Sequence, residues 1–245
     1  KISVVDHDVM SILGIYGSLS SYDNRRLTAV QLYFGCMGPC SQAEDVQKFV
    51  HEDLGRGVPP KGWANQLDTK ILGNVNLARS YKLWAPPESA YAPGRWAADV
   101  AVGGQVGLGN FATFARAQLE VRFGPSVPMG FTHVPDAPAL GIALDPLYPG
   151  SDPSPGRKWR AYGSVIVRSS YFLYLAPAEG GRTANGGYHP GVDLNHGQPE
   201  LLVGLHVGRA PVALHATYYR YLLGPEQIGR SSSLDWGNIS LEIRF

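Results

Sequence analysis

The feature that most constrains this chain is a two-residue alternation of apolar and polar side chains, repeated in stretch after stretch. Ala115, Ala117, Leu119, Val121 and Phe123 alternate with Arg116, Gln118, Glu120 and Arg122. Successive side chains of a strand point to opposite faces, so this stretch has one apolar face and one ionic face. At the C-terminal end, Ile239, Leu241, Ile243 and Phe245 alternate with Ser240, Glu242 and Arg244. Leu201, Val203, Leu205 and Val207 oppose Gly204, His206 and Gly208; Trp159, Ala161, Val165, Val167 and Tyr171 oppose Arg160, Tyr162, Ser164 and Arg168. Upstream, Ile71, Val75, Leu77, Tyr81 and Leu83 oppose Asn74, Asn76, Ser80 and Lys82.

A soluble β-sandwich and a lipid-facing β-barrel both satisfy this period, and composition helps to separate them. Only 17% of the 245 residues are charged, against about a quarter in ordinary soluble domains. With 21 basic and 20 acidic residues the net charge is +1, which argues against a nucleic-acid partner because phosphate neutralisation needs a basic excess. No apolar run is long enough for a transmembrane helix. Aromatics at 11% alongside 30 glycines and 19 prolines supply too many packing residues for a disordered chain. The alternating stretches are about ten residues long, the length a tilted strand needs to cross hydrocarbon. Trp84, Trp96, Trp159, Tyr171, Tyr221 and Trp236 sit near stretch ends, and the last stretch ends on Phe245, as the aromatic girdles of lipid-facing barrels do.

The expected fold is therefore all-β: an antiparallel transmembrane β-barrel forming a single domain over residues 1–245, with one short helix on a loop. Strands are expected near 12–21, 27–36, 68–84, 94–108, 112–123, 158–174, 199–208, 211–223 and 234–245, with a fragment at 2–5. Turns at Tyr22-Asp23-Asn24 and Gly109-Asn110 are expected at one rim, and long Pro/Gly-rich loops at 124–157 and 176–198 at the other. The helix is expected over 41–54, with Ser41 as N-cap, Glu44 three residues on, and Gly55 as the stop. Its Val46, Phe49 and Val50 share one face, and Gln47 and His51 fall on one side. The inward Arg116, Glu120, Arg122, Arg160, Arg168, Glu242 and Arg244 read as a salt-bridged interior that fills the barrel rather than as a transport path.

Cys36 and Cys40 are the only cysteines. In an exported protein an even count favours a disulfide, with free thiols as the alternative; two thiols are too few for a structural metal site. Asp6, His7 and Asp8 bear metal-ligating groups, but alternating acidic residues at a strand end are usually solvated. The chain begins at Lys1 without a basic segment followed by an apolar one, so no signal peptide is visible.

Gly38-Pro39, Glu44-Asp45-Val46-Gln47-Lys48-Phe49-Val50-His51 and Gly62-Trp63-Ala64-Asn65-Gln66-Leu67 resemble the signature block of the outer-membrane lipid A 3'-O-deacylase (LpxR-like) family. Gly107-Leu108-Gly109-Asn110, the strand ending Leu119 to Gly124, and the strands from Trp159 and to Phe245 follow in the family's order. The resemblance implies a barrel of about 10–12 strands in a Gram-negative outer membrane. It implies an active site between the barrel wall and a loop helix, hydrolysis of the 3'-acyloxyacyl ester of lipid A in lipopolysaccharide, and calcium as cofactor. Carried over residue by residue, His51 is the general base and Gln47 orients water or the substrate carbonyl, with Asp6, His7 and Glu44 on the rim of the site.

Where the family carries a basic residue after its aspartate, this chain has His7, and Ala64 replaces the aspartate that follows Gly-Trp. An Asn-Asp strand of the family lies upstream of anything found here: either Lys1 is not the start of the polypeptide, which is the favoured expectation, or the barrel closes with fewer strands, or another segment completes it. Pairing of Lys1 with the Phe245 strand would oppose that expectation. The alternative reading is a catalytically degenerate barrel that serves as a structural or partner-binding subunit of an outer-membrane assembly; a third is a small channel.

Overall fold

A computed structural model describes residues 11–23, 25–53, 63–92, 94–132, 159–191, 194, 196–209, 212–222 and 235–243. The strands are β1 (Ile12–Tyr22), β2 (Arg26–Met37), β3 (Lys70–Trp84), β4 (Ala97–Gly109), β5 (Ala112–Gly124) and β6 (Arg160–Leu175), followed by two short pieces, β7 (Gly181–Arg182) and β8 (Tyr188–His189), then β9 (Gly197–Arg209), β10 (Val212–Tyr221) and β11 (Asp235–Ile243). Among the described residues, all but β7 and β8 form one nine-stranded antiparallel sheet in the order β1-β2-β3-β4-β5-β6-β9-β10-β11. Each neighbour follows its predecessor in the chain except where the β7–β8 hairpin intervenes, so the sheet is a meander. The sheet curls into part of a barrel wall.

The alternation seen in the sequence is the alternation of burial, but with the polarity of a soluble protein inverted. Ile15, Leu19 and Ile239 are 76%, 82% and 77% exposed, whereas Arg122, Glu120 and His206 are 0%, 2% and 1% exposed. The concave face thus buries charge and the convex face presents aliphatic side chains. Water would penalise that arrangement, and hydrocarbon rewards it. Trp84, Trp96 and Trp159 are all exposed and lie where β3 ends and just before β4 and β6 begin, so one rim carries three indoles at the level of an interface.

The rims differ from the sequence expectation. The turn at Asp23 lies on the rim where β5 ends and β6 begins, while Gly109-Asn110 lies on the opposite rim with the helix segment and the 176–196 connection. The two tight turns expected on one rim thus lie on opposite rims, as do the two long connections expected on the other. Loop length does not set the rim, because in a meander successive connections alternate between rims whatever their length. The fragment expected at 2–5 lies outside the described residues. So do Lys1 and Phe245, whose pairing bears on closure, and Arg244.

The lumen has two zones. Towards the helix rim it is filled by Tyr33, Met37, Leu72, Phe111, Phe114 and Phe172. Towards the Asp23 rim it is ionic. Asp99 on β4 is the register partner of Arg122 on β5; Arg122 donates to it from Nε at 2.9 Å and from Nη2 at 2.5 Å. Lys82 on β3 places Nζ 2.9 Å from the same carboxylate, and Tyr91 donates its hydroxyl to it at 2.9 Å. Glu120 lies 3.5 Å from Arg122 Nε, so two cations face two anions. The segment after β5 folds back into this zone. Arg122 Nη2 donates to the Gly130 carbonyl at 2.6 Å, and the Thr132 amide donates to Glu120 at 2.9 Å. Phe131 and Thr132 are buried there.

A second ion pair, Arg168 with Glu200, spans β6 and β9, and Arg116 donates to Ser170 at 2.7 Å. Arg160 instead reaches the Tyr91 carbonyl at 3.3 Å. The expected salt-bridged interior is therefore present at Glu120, Arg122 and Arg168. Its principal anions, Asp99 and Glu200, come from positions the alternation had not marked.

Replacing Asp99 with Ala leaves Lys82 and Arg122 facing each other inside the barrel with only Glu120 to offset two positive charges. The expected cost is about 3–5 kcal/mol of unfolding free energy, measured by urea titration of the folded barrel in lipid. A loss under about 1 kcal/mol would mean the network is not the interior's organising contact.

Candidate active site at the helix rim

At the end of β2 the chain must leave the wall and build a platform outside it. Gly38 makes that turn at φ 86°, a conformation that favours glycine, and a Cβ there would collide with the carbonyls of Leu67 and Asp68. Cys36 and Cys40 are joined as a disulfide with Cα atoms 6.1 Å apart, closing a loop of five residues around the turn. A single 3-10 turn (Pro39–Ser41) follows, and then α1 (Ala43–Lys48).

Ser41 is not the N-cap that the sequence suggested. Gln42 occupies that position in the left-handed region, φ 55° and ψ 20°, without a side-chain cap bond. Ser41 instead turns inward and donates to Ser11 Oγ at 2.7 Å, while Ser11 Oγ lies 3.1 Å from Gln66 Oε1 and 3.2 Å from the Gly38 carbonyl. All three side chains are buried. This polar cluster clamps the start of β1, the foot of the helix and the returning segment to one another. A left-handed non-glycine residue is strained backbone, and the clamp is what over-determines it.

The returning segment is held on its other side by the β7–β8 hairpin. Leu67 bridges Thr183, the Asp68 amide donates to the Arg182 carbonyl at 2.8 Å, and the Ala184 amide donates to the Gln66 carbonyl at 2.9 Å. Asn185 adds a side-chain bond to Asn65 at 3.1 Å. Leu67 also packs against the aromatic plug below. The helix segment and the 176–196 connection are thus one platform, founded on the apolar zone of the lumen.

The site residues expected from the sequence are distributed as follows. α1 continues as a π-helical turn over Phe49–Asp53, which carries His51; single π turns are rare and recur at functional sites. The helical part is described as far as Asp53; Leu54, its expected end, lies outside the described residues. His51 is half-buried, and its Nδ1 is shielded from solvent with no hydrogen-bond partner among the described residues. Gln47, one turn earlier, is exposed. Glu44 is held by Lys48 at 2.7 Å, and this hydrogen bond, then its charge, raises the pKa of the Lys48 ammonium. Val46, Phe49 and Val50 are 61%, 54% and 36% exposed, so the helix presents its apolar face outward at the rim of a lipid-facing wall. Asp6 and His7 lie outside the described residues.

Among the described residues no three His, Cys, Asp or Glu side chains converge. Asp6, His7 and Asp8, which bear oxygen and nitrogen donors, lie outside that set. Ser11, Ser41 and Gln66 are the structural residues that sequence reading missed. Gln66 stood in the Gly62–Leu67 block with no role attached, and its apposition to two serines is a long-range fact.

An antiparallel meander with an apolar outside, a polar and aromatic inside and a helical platform on one rim defines an outer-membrane β-barrel. The family model described as "Outer membrane protein LpxR" matches residues 6–245. The chain belongs to this family, outer-membrane barrels of the lipid A deacylase type. Among solved structures it is similar to "LpxR from Salmonella typhimurium", with a TM-score of 0.73 at 16% identity, covering 96% of this chain and 73% of that one. At that identity the likeness concerns the fold. No curated relative matches in sequence.

Gln66→Ala removes the acceptor of the buried clamp. We expect a local loss of about 1–3 kcal/mol, read as faster limited proteolysis within residues 41–69 while the strands stay protected. Equal protection in the variant would show that the clamp does not hold the platform.

Proposed function

We propose that this barrel hydrolyses the 3'-acyloxyacyl ester of lipid A, with His51 as general base. The observation that carries the reading is the environment of His51. It sits on a π turn of a platform clamped to the wall, within the block that matches the family, and its shielded Nδ1 has no partner among the described residues. A buried polar atom without a partner calls for an explanation, and a reactant held at the rim supplies one.

The chemistry asks little of the protein. Neutral His51 takes a proton from water as the water oxygen bonds to the ester carbonyl carbon. When the tetrahedral adduct collapses, the ester C–O bond breaks and the sugar oxygen leaves with the proton from His51. Gln47, one turn back on the same side of the helix, offers an amide to orient the water or the carbonyl. The exposed Val46, Phe49 and Val50 give the acyl chains of a lipid substrate an apolar surface beside the base. Membrane lipid reaches this surface laterally because the wall below it already faces hydrocarbon.

The test is mass spectrometry of lipid A after incubation with the purified barrel and calcium. Wild type is expected to release the 3'-linked acyl group, and His51→Ala to slow this by a factor of about 10²–10⁴, the usual worth of a general base. Lipid A left unchanged by both proteins would reject the esterase reading and favour a barrel retained for a structural or partner-binding role.

A further inference from the structure

The lumen carries a second group of reactive side chains, on β6, β9 and β10 towards the Asp23 rim and so away from the helix platform. Register places Ser164, Gly204 and Thr217 in one row across the sheet and Tyr162, His206 and His215 in a neighbouring row. The side chains of Ser164, Tyr162, His206, His215 and Thr217 are all buried. Ser164 Oγ lies 2.9 Å from His206 Nε2, and His206 Nδ1 lies 2.9 Å from His215 Nδ1. The Tyr162 ring stacks on His206 with centroids 4.5 Å apart and planes within 16°, which fixes the imidazole plane. Both contacts are satisfied when His206, protonated on Nδ1, donates to His215 and accepts the Ser164 hydroxyl at Nε2, and the opposite tautomer reverses both bonds.

Two independent observations mark this as more than a packed cluster. A Cβ built on Gly204 falls 2.5 Å from both Ser164 Oγ and His206 Nε2, so the pair occupies space that only glycine leaves open. Thr217 Oγ1, in the same row, is buried without a hydrogen-bond partner among the described residues, as are Asn238 Oδ1 and Ser240 Oγ on β11. These two are the register partners of Thr217 and His215. Orphaned polar atoms gathered beside a hydrogen-bonded serine and histidine offer hydrogen bonds to a polar ligand.

We propose that Ser164 is an activated nucleophile with His206 as its general base and His215 as the residue that positions that base, a site for carboxylic esters small enough to enter the lumen from the Asp23 rim. A nucleophile within hydrogen-bond reach of a base that is itself oriented by a third group is the geometry nucleophilic catalysis requires. Ser164 Oγ bonds to the carbonyl carbon as its proton passes to His206 Nε2. Collapse of the adduct breaks the ester C–O bond, and the leaving oxygen takes that proton. Water then attacks the acyl carbon and gives a proton to His206, which returns it to Ser164 as the acid departs. Ser164 lies four residues into β6, about 13 Å of strand from the rim.

The test uses the full chain folded in detergent micelles and a small alkyl fluorophosphonate, whose phosphorus captures an activated serine as fluoride leaves. Peptide mass spectrometry is expected to find the adduct on Ser164. His206→Gln is expected to slow labelling about a hundredfold or more. His215→Leu is expected to slow it about tenfold, with His215→Asn, which keeps an acceptor, restoring most of it. Folding of each variant is checked by its β-sheet circular dichroism. A folded wild type with no adduct on Ser164, or a folded His206→Gln labelled at the wild-type rate, overturns the proposal. Both outcomes are independent of His51 and of lipid A hydrolysis.

Discussion

Everything in this structure follows from one constraint: in hydrocarbon no water is available to satisfy a backbone amide or carbonyl. A sheet that crosses the bilayer must pair its strands along their length. The long, nearly uninterrupted registers from β1–β2 round to β10–β11 meet that demand, with irregularities confined to Lys82/Trp84 and Thr113/Phe114. Once the backbone is committed to strands, side chains have only two directions. The apolar set must take the lipid side, so charge goes to the lumen.

Charge turned inward must be neutralised within the protein. The Asp99 carboxylate does this for two cations at once, gathering Lys82, Arg122 and the Tyr91 hydroxyl. The same network recruits the chain after β5, since the Gly130 carbonyl and the Thr132 amide complete its hydrogen bonding. The fold-back of that segment is therefore a consequence of the ionic zone. At the other end the lumen is filled by aromatic packing instead, and the helix platform is built over that apolar zone.

The fold was legible because its signal is local and repeated. Nine stretches of alternating residues were enough to place every long strand to within a few residues, since a slip of one position would have put Arg122 or Glu120 into lipid. What was not legible depends on contacts distant in sequence. Ser41 carries a local signal for an N-cap, yet its hydroxyl goes to Ser11, thirty residues away in sequence, and Gln42 takes the cap position. Asp99 sits in a stretch of alanines and valines with no ionic alternation of its own, so its role became visible only when β4 was laid beside β5 and β3. The site helix was legible from its matching block, but Gln66, which helps to hold that helix in place, was not.

The platform and its foundation explain why a short helix can serve as a site at all. Six residues of α-helix and one π turn, with few buried side chains, would not persist alone in water. Here the Gly38 turn and the Cys36–Cys40 disulfide fix its start, while Ser11, Ser41 and Gln66 tie it to β1 and to the returning strand segment. The β7–β8 hairpin braces that segment from outside, and Leu67 seats it on the aromatic zone. Rigidity is thus supplied from below and from the side. The helix can then leave Val46, Phe49 and Val50 uncovered, and leave His51 Nδ1 without a partner among the described residues, without unfolding.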